Sequence, residues 1–420
     1  MEKTLLVSIK LYDEKDAWSI EDTAGELEEL TASTRGIQII ENISCLIDKP
    51  TANFFIGRGK VDEIALICQQ EDVDMVIFSH DLSGTQQRNL EEVIGKKIID
   101  RTQLILDIFA QHAKSPEGKV QVELAQLQYF MPRLTGKGVM LSRMGGGVGT
   151  SGPGEQKLEV DRRRIRKRID RLQADLEHLV SHRKIQRNKR KENRIPSVAL
   201  VGYTNAGKST LLNALTDAGQ VVKNSLFTTL DSVSKTLRLP NGENVILSDT
   251  VGFLHNLPHF LVEAFKATLE EVADVDLLIH VLDVSHPQVY DHNKAVLDVL
   301  KELGANDKPI IIALNKIDLL EDKVWLAKIK EDFNNSICIS AKFKTNIEDL
   351  LKEVQNIFKE RMAHIDIEIP SNRMDLVDLF YREGKVKEIK YSQKNIKIKL
   401  NIPKTISSKL LKDNDIKIVS

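Results

Sequence analysis

Between the apolar run Val198–Val201 and a helix-like run from Thr210 to Leu215, the chain reads Gly202-Tyr203-Thr204-Asn205-Ala206-Gly207-Lys208-Ser209. Glycines at these two places let backbone N–H groups turn inward onto phosphate oxygens. The helix start that follows adds a favourable field for an anion. Lys208 is placed to reach β- and γ-phosphates, and the Ser209 hydroxyl is a ligand suited to Mg²⁺. The strand before and the helix after separate this pattern from an ordinary glycine turn. The predicted chemistry is the binding of a nucleoside triphosphate.

Three further groups follow in order, each at a strand-like end. Asp249-Thr250-Val251-Gly252 offers a carboxylate for the Mg²⁺ shell and a glycine N–H for a γ-phosphate. Asn315-Lys316-Ile317-Asp318 offers a carboxylate that can accept from both N1–H and the exocyclic amine of guanine. Adenine has no such donor pair, so Asp318 predicts GTP and GDP as the nucleotides. Ser340-Ala341-Lys342 is the loop expected to close over the base. Between the first helix and the next strand lies Phe227-Thr228-Thr229-Leu230-Asp231, where a threonine can give Mg²⁺ a hydroxyl and the γ-phosphate an N–H. The residues alone leave Thr228 and Thr229 both open for that role. The residue after Gly252 is Phe253, where many GTPases carry a glutamine that orients the attacking water. Phe253 cannot do so, which predicts slow hydrolysis unless a partner or a rearranged backbone supplies the polar contact.

The elements that must position these groups alternate strand and helix. Strands are expected at Ser197–Val201, Val233–Leu239, Asn244–Ser248, Leu277–Leu282, Pro309–Leu314 and Ile337–Ser340, the doubly wound α/β pattern. Upstream, Leu5–Ile9, Ile37–Ile47 and Met75–Ser79 are strand-like, with amphipathic segments Glu21–Thr31 and Lys60–Gln70 between them, which predicts a parallel-sheet α/β domain. From Arg101 to Met131 the pattern is helical, with Val120, Leu124, Leu127 and Met131 on one face, until Pro132 interrupts it. Eight glycines then crowd into residues 136–154, a composition that predicts a long loop. Leu158, Ile165, Leu172 and Leu179, with Ile169 and Leu176 between, form a heptad seam beyond it. The two helical stretches read as an antiparallel hairpin tipped by the glycine loop. The expected organisation is an N-terminal α/β domain over 1–115, the hairpin over 116–194, a doubly wound P-loop domain over 195–364 and a small α+β module over 365–420.

Composition limits the partners. Lys and Arg total 60 against 61 Asp and Glu in 420 residues, so attraction to an anionic partner must be local. It is local: residues 161–194 hold fourteen Lys and Arg against five Asp and Glu, which suits RNA phosphates. Arg133 and Arg143 flank the glycine loop and are candidate contacts to folded RNA. Cys45, Cys68 and Cys338 fit no metal-ligand spacing and suit a reducing compartment. Gly57-Arg58-Gly59-Lys60 lacks the spacing of a phosphate motif and reads as a tight turn into a helix. His80, His255, His259 and His280 form no ligand spacing and read as ordinary core or surface residues.

Several stretches together resemble the HflX family of ribosome-associated GTPases. They are Val122–Tyr129 (VELAQLQY), Pro132–Leu134, Leu141–Thr150 (LSRMGGGVGT), Gly152–Glu155 and Leu158–Arg163 (LEVDRR), with Phe55–Lys60, Gly202–Thr210 and Asp249–Phe253. Ser151 and Gln156-Lys157 depart from that pattern. The resemblance covers about residues 35–365 and implies that Thr229 is the Mg²⁺-ligating threonine. It also implies a cytoplasmic, monomeric factor that binds the ribosome, mainly the large subunit and its RNA, and splits or rescues stalled ribosomes under stress. The alternative is an RNA-binding GTPase timer in large-subunit biogenesis. A membrane-associated regulator is disfavoured, since no apolar anchor is visible. Neither DNA nor a membrane span is expected, and Met1-Glu2-Lys3 running straight into a strand predicts no signal peptide.

Overall fold

A computed structural model describes residues 1–12, 18–136, 153–192, 195–216, 227, 233–255, 258, 260–261, 264–265, 272–320, 323–360, 362–383, 385–403, 407 and 416–418. Residues 1–237 with 245–345 form one compact unit, and 238–244 with 346–420 form a second.

The first unit begins with a four-stranded sheet built from β1 (Glu2–Leu11), β2 (Ile37–Ile47), β3 (Met75–Phe78) and β4 (Lys97–Asp100), in the order β2-β1-β3-β4. All its pairings are parallel. Strand β1 is buried from Thr4 to Ile9, as a strand covered on both faces must be. The covering helices are α1 (Ile20–Ala32), α2 (Arg58–Gln70), α3 (Gly84–Ile94) and α4 (Arg101–His112). Their starts are chemically marked. Ser19 and Ser83 each form a reciprocal cap with the third residue of the helix, and the Asp100 carboxylate accepts from the Gln103 N–H. The sequence-based reading found β1, β2 and β3 but neither β4 nor α3.

The long helical stretch breaks at Ser115, whose hydroxyl caps a new helix, α5 (Pro116–Phe130), with Pro116 in its first turn. Pro132 lies in the 3₁₀ turn Met131–Gly136 that follows. Helix α6 (Pro153–Glu192) packs against α5. Leu124, Ile169 and Leu172 are buried between them, with Val120, Leu127, Met131, Ile165 and Leu176 alongside. Across the seam the Arg168 guanidinium donates to both Glu123 carboxylate oxygens at 2.7 and 2.9 Å. The glycine loop itself, residues 137–152, lies outside the described residues.

The second sheet of this unit carries the nucleotide motifs. Its strands are β5 (Ser197–Gly202), β6 (Val233–Arg238), β7 (Asn244–Asp249), β8 (Leu277–Asp283), β9 (Ile310–Asn315) and β10 (Ser336–Cys338), in the order β10-β9-β8-β5-β7-β6. Strand β5 pairs parallel with both β7 and β8, and the ladder continues parallel through β9 to β10. Helices α7 (Lys208–Thr216), α8 (Val289–Glu302) and α9 (Lys323–Asp332) connect strands of the sheet. The order reverses at β5, so the carboxyl ends of β5, β7, β8 and β9 frame a crevice of the kind that binds ligands in open α/β sheets.

The second unit contains α10 (Ile347–Glu360) and α11 (Met374–Glu383). Its sheet joins β11 (Met362–Pro370), β12 (Lys385–Tyr391), β13 (Asn395–Pro403) and β14 (Lys417–Ile418) in the order β12-β13-β11-β14. Among the described residues its strands pair antiparallel, and Ile396, Ile398, Leu400 and Ile402 point inward against Phe380. Among the described residues no helix is long and apolar enough to cross a membrane.

Candidate functional site

The loop between β5 and α7 owes its shape to crowding. Gly202 (φ +155°) lies against the Val281 carbonyl of β8, and Gly207 (φ +97°) lies against the Asn315 amide, so a Cβ at either place would collide with its neighbour. Asn205 also takes a left-handed conformation, at φ +60°. The Lys208 ammonium is buried and donates to the carbonyls of Gly202 at 3.0 Å and Tyr203 at 2.7 Å. Burial pushes it down to about 8, against the pull of the Asp249 carboxylate in the other direction. Ser209 donates its hydroxyl to Asp249 at 2.7 Å, and Asp249 is fully buried.

Asp249 ends β7, and the segment after it runs back along the loop. The Thr250 hydroxyl donates to the Leu200 carbonyl at 2.7 Å. The Phe253 N–H donates to the Gly202 carbonyl at 3.1 Å, and the Thr204 N–H donates to the Phe253 carbonyl at 2.8 Å. Gly252 is required at this approach, since a Cβ there would lie 2.8 Å from the Thr204 Cα and 3.0 Å from the Lys208 Nζ. Phe253 is 1% exposed, so its ring belongs to the core.

The residues expected to select the base converge at the ends of β9 and β10. The Asn315 amide donates to the Ala206 carbonyl at 2.8 Å, while its oxygen accepts from the Ala341 N–H at 2.9 Å. One side chain thus ties the phosphate loop to the closing loop. Ser340 donates to the Asp318 carboxylate at 2.6 Å, which orients that group. Lys316, left-handed at φ +65°, pairs with Asp283 at 2.6 Å. Ile317 sits between them in a short 3₁₀ turn, and Lys342 lies over the exposed Phe343 ring. The phosphate loop, Asp249–Gly252, Asn315–Asp318 and Ser340–Lys342 therefore come together on one edge of the sheet.

Two expectations need correction, and a third falls outside the description. The Phe227 side chain does not line the nucleotide edge. It is 3% exposed and meets Phe109 of α4 edge-on at 4.6 Å, so only its backbone remains for a ligand. Arg133 is not presented outward beside the glycine loop. Its guanidinium pairs with the buried Asp100 at 3.0 Å, donates to the carbonyls of Tyr129 and Leu82, and covers the Tyr129 ring. Thr228, Thr229, Leu230 and Asp231 lie outside the described residues, as do Arg143 and His259.

The donors fit a guanosine nucleotide with a divalent cation. The buried Lys208 ammonium faces the cradle where an anion would offset its burial. Ser209 and Asp249 set hard oxygen donors side by side, as Mg²⁺ requires. Sequence reading missed the side-chain role of Tyr203, whose hydroxyl donates to Glu26 of α1 at 3.0 Å. No motif marks that pair, which is 177 residues apart in the chain.

Three family profiles match the chain in succession. They are GTP-binding GTPase N-terminal over residues 21–110, GTP-binding GTPase Middle Region over 112–190, and 50S ribosome-binding GTPase over 197–316. The chain is similar to GTPase HflX of Caldanaerobacter subterraneus, at 47% identity over 97% of this chain and 93% of that one. It is similar to GTPase HflX of Escherichia coli at 39% identity over 91% of this chain and 88% of that one. Among solved structures it resembles a GTP-binding protein from Sulfolobus solfataricus in complex with GDP, at 26% identity and a TM-score of 0.46, covering 85% of this chain and 98% of that one.

Proposed function

The chain belongs to the HflX family of GTPases, and we propose that it hydrolyses GTP on the ribosome, docking mainly on the large subunit to split or rescue stalled particles. The observation that carries the ribosomal reading is the basic helix. On α6, Arg163, Arg164, Arg166, Lys167 and Arg171 are exposed within a protein whose charges nearly cancel over the whole chain. Such a surface binds RNA phosphates by releasing counterions and so weakens steeply with salt. The profile matched over 197–316 bears the description 50S ribosome-binding GTPase, which agrees with this partner.

In this reading the phosphates lie in the cradle from Gly202 to Ser209. Water attacks the γ-phosphorus, the bond to the bridging oxygen breaks, and GDP leaves with the negative charge. Lys208 and the loop N–H groups stabilise the charge that develops, and the Gly252 N–H holds the γ-phosphate. Ser209 and Thr229 would hold Mg²⁺, with Asp249 behind Ser209, and the ion would supply charge neutralisation across the phosphates. Asp318 accepts from guanine while Asn315 keeps the two loops together, and Ser340, Ala341 and Lys342 border the base. Phe253 offers no group to orient water, so turnover without a partner is slow.

The test is the GTP hydrolysis rate of the full chain with each isolated ribosomal subunit. The expected result is stimulation by the large subunit that is lost at high salt, together with co-sedimentation with mature particles. A large subunit that leaves the rate unchanged sinks the ribosomal reading, and binding restricted to precursor particles replaces it with a role in assembly.

A further inference from the structure

The segment that follows Asp249–Gly252 is tied down beyond Phe253 by a different part of the molecule. The His255 N–H donates to the Tyr203 hydroxyl at 2.9 Å. The His255 carbonyl accepts from the Arg101 guanidinium at 2.6 Å. Both partners lead to one carboxylate. The Tyr203 hydroxyl donates to Glu26 at 3.0 Å, and Arg101 donates to Glu26 through Nε at 3.0 Å and through Nη2 at 2.5 Å. Glu26 stands on α1 and Arg101 opens α4, so a side chain of the N-terminal α/β domain gathers both backbone groups of His255.

The network is largely buried, and Glu26, Arg101 and His255 also border a cavity. Side-chain exposure is 13% at Arg101 and 11% at Glu26, and Tyr203 is 5% exposed. Trp18 stacks on the His255 ring at 4.6 Å, and Tyr203 stacks on His292 at 3.7 Å. Charge-assisted hydrogen bonds at such a place are strong, and removing one partner leaves the other buried and unpaired. Burial works against the Arg101 charge, yet Glu26 more than offsets it and holds the guanidinium above its ordinary range.

A residue at 253 that cannot orient water leaves the segment only its backbone to offer to the reaction. We propose that Glu26 is a positioning residue for GTP hydrolysis: through Tyr203 and Arg101 it fixes the backbone from Gly252 to His255, and with it the N–H that meets the γ-phosphate. The inference rests on the reading given above for Gly252 and Phe253. GDP lacks the γ-phosphate, so the effect of Glu26 falls on GTP alone.

Glu26→Gln and Tyr203→Phe keep side-chain volume and carry the test, in the full chain, singly and combined. In each single variant kcat without a partner falls about fivefold, the effect of losing one strong hydrogen bond. The Kd of a non-hydrolysable GTP analogue rises by a similar factor, while the Kd of GDP stays within about twofold of wild type. The double variant falls short of the product of the single ones, because they share the tie that runs through Tyr203. Unchanged kcat in both single variants overturns the assignment. So does equal weakening of GDP and analogue, which marks plain damage to the phosphate loop, and so do effects that multiply in the double variant. The ratio to wild type decides these outcomes. A wild-type rate as fast as that of a fully stimulated GTPase counts instead against the reading of Phe253.

Discussion

Gly57–Lys60 and Gly202–Ser209 both lie between a strand and a helix, and only the second has the geometry of the proposed phosphate cradle. Gly57-Arg58-Gly59-Lys60 follows β2 and opens α2, much as Gly202–Ser209 follows β5 and opens α7. Around the first turn there is space. A Cβ at Gly57 or Gly59 would meet nothing within 4 Å, and Gly57 has an ordinary φ of −70°. Its basic residues turn outward to carboxylates one helical turn on, Arg58 to Asp62 at 3.1 Å and Lys60 to Glu63 at 2.8 Å. Around the second turn the neighbouring strands press in. Val281 and Asn315 occupy the places where side chains would go, and Lys208 is buried on backbone carbonyls. Glycine followed by lysine is therefore insufficient. Close approach from β8 and β9 sets the shape of the second loop, whose ammonium is held on backbone carbonyls.

The contrast can be broken most forcefully at Gly207. Gly207→Ala places a methyl group against the Asn315 amide at a φ that alanine avoids. GDP affinity should fall roughly 100-fold or more, about 2.7 kcal/mol, by fluorescence titration of the folded variant. Retained affinity would show that crowding does not shape the loop.

A smaller effect is expected from pH. The Lys208 pKa is lowered from 10.5 to about 8, so the nucleotide-free protein carries an ammonium there only below that range. GDP binding should be flat from pH 6 to about 7.5 and weaken above 8, approaching tenfold per unit as the proton is lost. The sign for stability is opposite. A lowered lysine pKa costs stability while the group is charged, so the nucleotide-free fold gains as pH rises from about 8 towards 10.5. Titrations of GDP affinity and of melting temperature across this range check both directions.

The smallest effect belongs to the open turn. Gly59 lies in the first turn of α2 with room for a side chain. Gly59→Ala should leave GDP affinity unchanged and stabilise the fold by about 0.5–1 kcal/mol through helix propensity. Loss of nucleotide binding in this variant would erase the distinction between the two turns.

Much of this was legible in the sequence because the nucleotide site is assembled from strand ends. Val198–Val201 and Ile311–Leu314 are apolar runs, and the polar residues that follow each one sit on the same edge of the sheet by topology alone. The seam of α5 and α6 was readable for a similar reason, since heptad spacing places Ile165, Ile169, Leu172 and Leu176 together. Contacts between distant segments with no period were not readable. Phe227 sits among nucleotide-loop residues, yet its ring is taken by Phe109. Arg133 lies beside a glycine-rich basic region, yet a buried carboxylate holds it. Strand β4 was missed because only Ile98 and Ile99 of it are apolar, where all of β3 is, and helix α3 because its buried face includes Gln86.

Asp100 and Arg101 are neighbours in the chain with obligations on opposite sides. Asp100 caps α4 through Gln103, accepts from the Leu82 N–H and pairs with Arg133 in the turn that follows α5. Arg101 grips Glu26 and the His255 carbonyl. A single peptide unit, at the junction of β4 and α4, thus joins the foot of the long helices, through Arg133, to the segment behind Gly252, through His255.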